Sequence, residues 1–444
     1  MAHIAVLMTG LKGNLNASLE LCSRLHNEGN KITYLAVRDV KKNIETYGFE
    51  YIQLPEIKFD INSKDLGFAN KNFLSKTLLN LSAKEKILSK SINLLDLKSY
   101  ETILKELNPD KVVIDKELHD LIFVCHSLQL PITLATTWFN HIEEGPQRPP
   151  IRTSLIPGLG FDGSPFKIWL SWLFINLKVK VRILLNKIYF QDYRRQGLLA
   201  YAKKNHFPIK QIKPTNLPVL FSYPSMNTIS FNLKELDFPH KENKNFTYVG
   251  PMVFKTRENS KHHKIEEQLS LIFQKKEKEN LKLIFCSVST LVPGDTDFLK
   301  KLIAAIGTNK KFLLVITLGN KIKPSFFKNI PENVFLFSWV PQLKLLKNAD
   351  CNINHGGINS INECIHFKVP MLIYSGGNFD QNGCAARIAY HKLGITGNSK
   401  TDTSKIILKN INQILDNPIY YNAMDSFNKK YLQYQNNNLS SLLS

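Results

Sequence analysis

The stretch from Trp339 to Gln381 gathers an aromatic plane, a glycine turn opening a helix, a carboxylate within that helix, and an acid–amide pair after the next strand. Each suits one part of a nucleoside diphosphate sugar. Trp339 follows the apolar run Asn333 to Phe337, so it is expected at a strand's carboxyl end, where ligands bind in open α/β sheets. An indole there can stack on a base, a contact worth about 1–3 kcal/mol in other stacking systems; it can equally pack under a loop. After a short strand over Cys351 to Asn354, His355-Gly356-Gly357 reads as a turn and Ile358 onward as a helix with Ile358, Ile361 and Ile365 on its apolar face. Glycines let a phosphate approach the backbone, and a helix start offers unpaired N–H groups and a partial positive charge. Asn359 and Ser360 add donors in the first turn. Glu363, four residues after Asn359, shares its face and could accept both ribose hydroxyls. Asp380 and Gln381 come after the buried strand expected over Val369 to Tyr374; they suit a polyhydroxy sugar, although Asp380 would also serve as a helix cap.

In this order the residues resemble the donor-binding signature of inverting UDP-sugar glycosyltransferases. That family includes plant secondary-metabolite, UDP-glucuronosyl, and bacterial macrolide and carotenoid enzymes. The signature runs W-x-P-Q, H-x-G-x-N-S-x-x-E, G-x-P, then D/E-Q. It is matched by Trp339, Pro341, Gln342, His355, Gly357, Asn359, Ser360, Glu363, Pro370, Asp380 and Gln381, with Lys368 in place of the usual glycine before Val369-Pro370. The resemblance implies that Trp339, with Val340 beside it, receives uracil. It implies that Gln342 and Glu363 hold ribose, that His355, Gly357, Asn359 and Ser360 hold the diphosphate, and that Asp380 and Gln381 hold the sugar. The family's S-x-G-S/T turn corresponds to Ser287-Val288-Ser289-Thr290, with Ser289 in the glycine's place, and Thr290 could donate to a phosphate. The implied fold is α/β of the GT-B type: two facing Rossmann-like, doubly wound parallel sheets.

The same family opens with G-H-x-N-P, whose His is the catalytic base. Here the matching stretch is Gly13-Asn14-Leu15-Asn16-Ala17, which puts Asn14 in the base's place, and an amide takes no proton at neutral pH. Asp115, ending the short strand from Lys111, matches the Asp that orients that His. Glu117 and His119 follow at the same sheet edge. His119 is the better alternative base, since an unperturbed imidazole titrates near ~6.5; Glu117 is the second, and a solvent-facing place in a helix's first turn is the other reading of His119. The predicted catalytic set is therefore His119, Asp115, Glu117 and Asn14.

The elements that must position these groups are legible in outline. A buried strand over residues 4–8, a loop Thr9 to Asn14, a helix Ala17 to Asn27 capped by Asn16, and a strand from Lys31 form a βαβ opening, hence a parallel sheet. It lacks G-x-G-x-x-G, so no dinucleotide cofactor is indicated. Strands are expected over Val219 to Ser222, Thr228 to Phe231 and Thr247 to Val249. Gly250-Pro251 and the polar run to Glu266 read as a linker, after which the α/β pattern restarts. The expected division is 1–249 for the acceptor-binding domain, 250–266 for the linker, 267–425 for the nucleotide-sugar domain and 426–444 for a returning helix and tail with frayed final residues. Asp295-Thr296-Asp297 spells D-x-D but precedes a helix and reads as its cap.

Composition narrows the rest. The chain has 444 residues, 43% hydrophobic and 21% charged, an ordinary globular mix. Six cysteines without a C-x-x-C pair read as buried thiols in a reducing compartment. No signal peptide is read at the start, no uncharged run reaches the ~18 residues of a membrane span, and the expected location is cytoplasmic. The net charge of +21 comes with dispersed lysines and no nucleic-acid motif, so no nucleic-acid partner is expected. The segment Phe166 to Phe190 is apolar on all sides in its first half and interleaved with Lys and Arg in its second. It reads either as a core helix or as an amphipathic segment touching an anionic membrane. The expected activity is transfer of a sugar from a UDP-sugar co-substrate to a hydroxyl of a small lipophilic acceptor, with inversion and without metal or other cofactor. A membrane-surface glycolipid synthase and a catalytically impaired nucleotide-sugar binder are the alternatives.

Overall fold

The computed structural model describes residues 1–444 apart from 63, 68–73, 76–77, 79–81, 144, 190–191, 214, 216–218, 258–262, 288–294 and 320–321. Two fully parallel sheets follow each other along the chain. The first contains β1 (His3–Met8), β2 (Lys31–Ala36), β3 (Glu50–Gln53), β4 (Lys111–Asp115), β5 (Ile132–Thr136), β6 (Thr228–Ser230) and β7 (Phe246–Tyr248), in spatial order β3-β2-β1-β4-β5-β6-β7. The second contains β8 (Lys282–Ser287), β9 (Phe312–Thr317), β10 (Val334–Phe337), β11 (Cys351–Asn354), β12 (Met371–Ile373) and β13 (Gly394–Thr396), in order β10-β9-β8-β11-β12-β13. The central strands are near-continuous apolar runs because helices cover both faces; Ile4 to Leu7 and Leu313 to Ile316 are wholly buried. Strand order reverses between β1 and β4 in one sheet and between β8 and β11 in the other. The carboxyl ends at such a reversal leave a crevice, the usual binding place in this architecture.

The helices among the described residues are α1 (Lys12–Asn27), α2 (Lys41–Glu45), α3 (Lys84–Leu95), α4 (Leu97–Leu107), α5 (His119–Ser127), α6 (Pro165–Tyr189), α7 (Tyr193–Lys204), α8 (His263–Lys278), α9 (Thr296–Gly307), α10 (Gln342–Asn348), α11 (Ile358–Phe367), α12 (Gln381–Tyr390), α13 (Ser404–Asp416) and α14 (Pro418–Tyr434). Ile358, Ile361 and Ile365 of α11 are all buried, each contributing about 1.5–3 kcal/mol of apolar burial. Asp295 caps α9, accepting from the Asp297 and Phe298 amides at 3.0 and 3.1 Å.

Three local expectations are corrected. The helix after β1 starts at Lys12, so Asn14 lies in its first turn and Asn16 caps nothing. Residues 219–222 form no strand; Ser222 makes only an isolated antiparallel bridge with Lys213. The tail is docked, not frayed. Glu28 accepts from the amides of Leu439 and Ser440 at 2.8 and 2.7 Å, Ser444 N donates to Thr133 Oγ1 at 2.8 Å, and Leu439 and Leu443 are buried. The path to it passes Gly250, whose φ is +84° and where an added Cβ would lie 2.3 Å from Tyr434 Cβ.

A buried carboxylate joins the halves. Asp237 accepts from Arg148 Nη2 at 2.7 Å and Tyr248 Oη at 2.6 Å through one oxygen, and from Arg387 Nη2 at 2.6 Å through the other. Burial alone would raise its pKa, but Arg387 and Arg148 outweigh that and hold it below the ordinary value.

Candidate active site

Helix α1 and strands β1 and β4 build one wall. The first turn of α1 places Asn14 Nδ2 3.3 Å from Asp115 Oδ2, across the strand-order reversal. Asp115 is buried, and its other oxygen accepts the Glu117 amide at 3.1 Å. Burial raises the Asp115 pKa, against the Glu117 amide, Lys116 and Asn14. The turn after β4 carries Lys116, buried, and Glu117, half-buried. Lys116 lies 3.4 Å from His141 Nδ1 and over the Trp138 ring; burial lowers its pKa to about 8. Glu117 is raised to about 7, first by burial, then by the charges of Asp115 and of Asp380 from the other half, with Lys116 opposing. A carboxyl titrating there is poised for proton abstraction near neutrality.

His119 is not so placed. It is 2% exposed, starts α5, and has both ring nitrogens taken: Tyr223 Oη lies 2.9 Å from Nδ1, and Nε2 accepts the Leu220 amide at 3.2 Å. That second bond fixes the tautomer with the proton on Nδ1. Burial drives the pKa to about 3, with Arg194 adding to the effect. Packed edge-on to Phe221, the ring is a hydrogen-bonded core residue, and this geometry does not serve a base. Sequence reasoning ranked it first because nothing local reveals the residues of 220–223 that enclose it.

The second wall is the start of α11 beside β11. Gly356 has φ +83° and its amide bonds Asn354 Oδ1 at 2.8 Å. A Cβ on Gly357 would lie 2.7 Å from His355 Nε2, so only glycine lets the ring lie over the helix start. No side chain caps this helix end. His355 Nδ1 is buried without a partner, and burial lowers the pKa of the ring, keeping it neutral at pH 7. An uncapped helix start next to an orphaned polar atom is a polar cradle suited to an anion. Asn359 reaches across to the first wall, its Nδ2 donating to Gly13 O at 2.5 Å. Ser360 is half-buried beside it.

Trp339 is half-buried after β10, and Val340 is buried. Gln342 Nε2 donates to Glu363 Oε2 at 2.7 Å, while Glu363 Oε1 holds Arg257 Nη1 at 2.7 Å. Sequence reasoning missed Arg257, which arrives from the polar stretch between the two sheets. Asp380 is buried, and although it immediately precedes α12 its carboxylate caps no amide there; burial raises its pKa. Gln381 Oε1 accepts from the Gly376 and Asn378 amides at 3.1 and 3.4 Å, which fixes the loop before α12. Thr290 lies outside the described residues. Among the described residues no group of three or more His, Cys, Asp or Glu side chains is arranged to hold a metal, and no helix is long and apolar enough to cross a membrane.

Comparison with known proteins agrees with this architecture. Residues 301–433 match the family model described as "Erythromycin biosynthesis protein CIII-like, C-terminal domain". The Bacillus subtilis protein named uncharacterized UDP-glucosyltransferase YojK is 23% identical over 94% of this chain and 90% of its own length. YdhE, an uncharacterized UDP-glucosyltransferase of the same organism, is 32% identical over 34% of this chain, a match that spans 38% of YdhE. The solved glycotransferase of kitacinnamycin superposes with a TM-score of 0.69 over 98% of this chain and 95% of that one, at 16% identity, a likeness of fold. The chain thus has the GT-B fold, and in sequence it is similar to glycosyltransferases of the macrolide type over residues 301–433 and of the UDP-glucosyltransferase type over most of its length.

Proposed function

We propose that this glycosyltransferase moves a sugar from a uridine diphosphate sugar to a hydroxyl of a small lipophilic acceptor, with inversion, and that Glu117 is its general base. The uridine part leans on the printed names of YojK and YdhE and on the Trp339 to Gln381 motif. The observation that carries the reading is that the Asn14–Asp115 pair at the first turn of α1 adjoins the uncapped start of α11, tied by Asn359 to the Gly13 carbonyl, with Asp380 of the second half near enough to act on the charge of Glu117. Trp339 stacks on the base, Glu363 and Gln342 take the ribose, and His355 with the amides of 358–360 takes the diphosphate. Asp380 and Gln381 meet the sugar hydroxyls.

In the transfer step the acceptor oxygen attacks the anomeric carbon from the face opposite the diphosphate. Its proton passes to the Glu117 carboxylate. The bond between the anomeric carbon and the diphosphate oxygen breaks, and its electron pair leaves on UDP. The helix-start N–H groups and His355 bear that charge; no cofactor is assigned. Burial, helped by the charges of Asp115 and Asp380, keeps Glu117 basic enough to act near neutrality.

The test is incubation with UDP-glucose, UDP-GlcNAc, UDP-glucuronate and dTDP-sugars, with and without pooled lipophilic alcohols, following UDP release and the anomeric configuration of the glycoside. Acceptor-dependent release with inverted product supports the reading. Tight nucleotide binding with no turnover on any pair supports instead a binder impaired at Asn14.

A further inference from the structure

Helix α6 is held to the protein by one narrow face. Ile168, Trp172 and Val179 are buried, and Trp172 Nε1 donates to Arg148 O at 2.7 Å. Its opposite face is also apolar and is open: Phe166, Trp169, Leu173, Leu177, Val181 and Leu184 are each at least 46% exposed. Their three- and four-residue spacing forms one stripe about 27 Å long at 1.5 Å per residue. Leu159 and Phe161 of the preceding loop, 63% and 69% exposed, extend the apolar surface beyond the helix's first turn. The sequence of α6 contains no Asp or Glu, whereas Lys178 and Lys180 are exposed along it, Arg182 donates to the Thr215 carbonyl, and Lys167 is half-buried. The nearest acids along the chain are Asp162 in the preceding loop and Asp192, whose side chain accepts the Arg195 amide at 3.0 Å at the start of α7; Glu143 accepts from Asn176 Nδ2 at 3.2 Å.

We infer that this face docks on the surface of an anionic phospholipid bilayer, with the helix lying in the interfacial plane. An apolar stripe bordered by Lys178 and Lys180, with no acid on the helix, matches acyl chains beneath negative headgroups. A second copy of the chain is the poorer occupant, because it would bring Lys178 and Lys180 against their equivalents with no carboxylate on the helix to pair them. The inference does not depend on the catalytic reading.

The experiment is co-sedimentation of the full chain with vesicles of phosphatidylcholine alone, or with about one third phosphatidylglycerol. Binding is expected to the anionic vesicles only and to weaken at least tenfold between low and high salt. Trp169→Gln with Leu177→Gln, and separately Lys178→Glu with Lys180→Glu, change only exposed side chains; each pair is expected to lower binding at least tenfold while affinity for UDP is unchanged. Failure of the folded wild type to bind either vesicle, or equal binding by both variants, overturns the inference. A wild-type dimer in analytical ultracentrifugation that the Trp169→Gln, Leu177→Gln protein dissolves, without vesicle binding, gives the face to a second copy.

Discussion

Asn14 donates its side-chain amide to Asp115 at 3.3 Å, across the gap where the first sheet reverses its strand order. The resemblance read from the sequence implies a histidine on an aspartate at this pair. Here it is a neutral amide that holds a carboxylate in place, next to a second carboxylate, Glu117, whose pKa is raised to about 7.

That arrangement predicts a division of labour. Glu117→Gln should lower kcat by roughly 10²–10⁴, the usual worth of a positioned base, while Asn14→Ala lowers it less than tenfold. In the wild type the rate should rise with pH through about 7, as Glu117 ionises. Asp115→Asn removes one of the charges that raise Glu117, so its acid limb should move to lower pH. Initial rates between pH 5 and 9 check all of these.

The raised carboxyl also has a sign in stability. A folded pKa of about 7 against an ordinary value of 4.5 means that folding favours the protonated form. The stability Glu117 contributes when protonated is therefore lost as pH rises toward and through about 7. Glu117→Gln should be more stable than the wild type at pH 8 by about 1–3 kcal/mol and nearly equal to it at pH 5, as read from urea unfolding.

His119 should behave as a core residue. His119→Phe leaves Tyr223 and the Leu220 amide without their partner and should destabilise the protein by about 1–3 kcal/mol at pH 8. The folded pKa of about 3 lies below the ordinary 6.5, so the wild type's stability from neutral His119 is lost as pH falls below 6.5. The gap between variant and wild type should narrow by about 2 kcal/mol at pH 5. The shape of the pH–rate profile should not change; a lost acid limb would restore His119 as base.

Asp237 should matter more for stability than for chemistry. Asp237→Ala strands Arg148 and Arg387, both buried, and should destabilise the fold by about 3–5 kcal/mol. Chemical denaturation followed by tryptophan fluorescence checks it.

Much of this was readable from the chain because the signals were local. The alternation of buried strands and helices gave two parallel sheets, and the run Cys351 to Glu363 gave a strand, glycine turn and helix within a residue or two of their bounds. Lys368 ends α11 at a left-handed φ of +60°, the conformation that favours the glycine it replaces, and its Nζ donates to Asp425 at 2.7 Å. What was not legible depends on contacts distant in sequence. The burial of His119 comes from residues about a hundred positions on, Arg257 meets Glu363 from 106 positions away, and the tail finds Glu28 over 411. The early start of α1 was missed because Gly13 and Asn14 are poor helix formers that tertiary packing overrides.

The central claim is that the second half grips a sugar's nucleotide leaving group, and a calorimetric titration of the folded protein with UDP tests it most directly. Binding in the micromolar range is expected, with Glu363→Ala and His355→Ala each weakening it at least tenfold and Arg257→Ala, which frees Glu363 Oε1, leaving it equal or tighter. No heat of binding for UDP or dTDP, or affinities unchanged in both the Glu363 and His355 variants, would contradict the account.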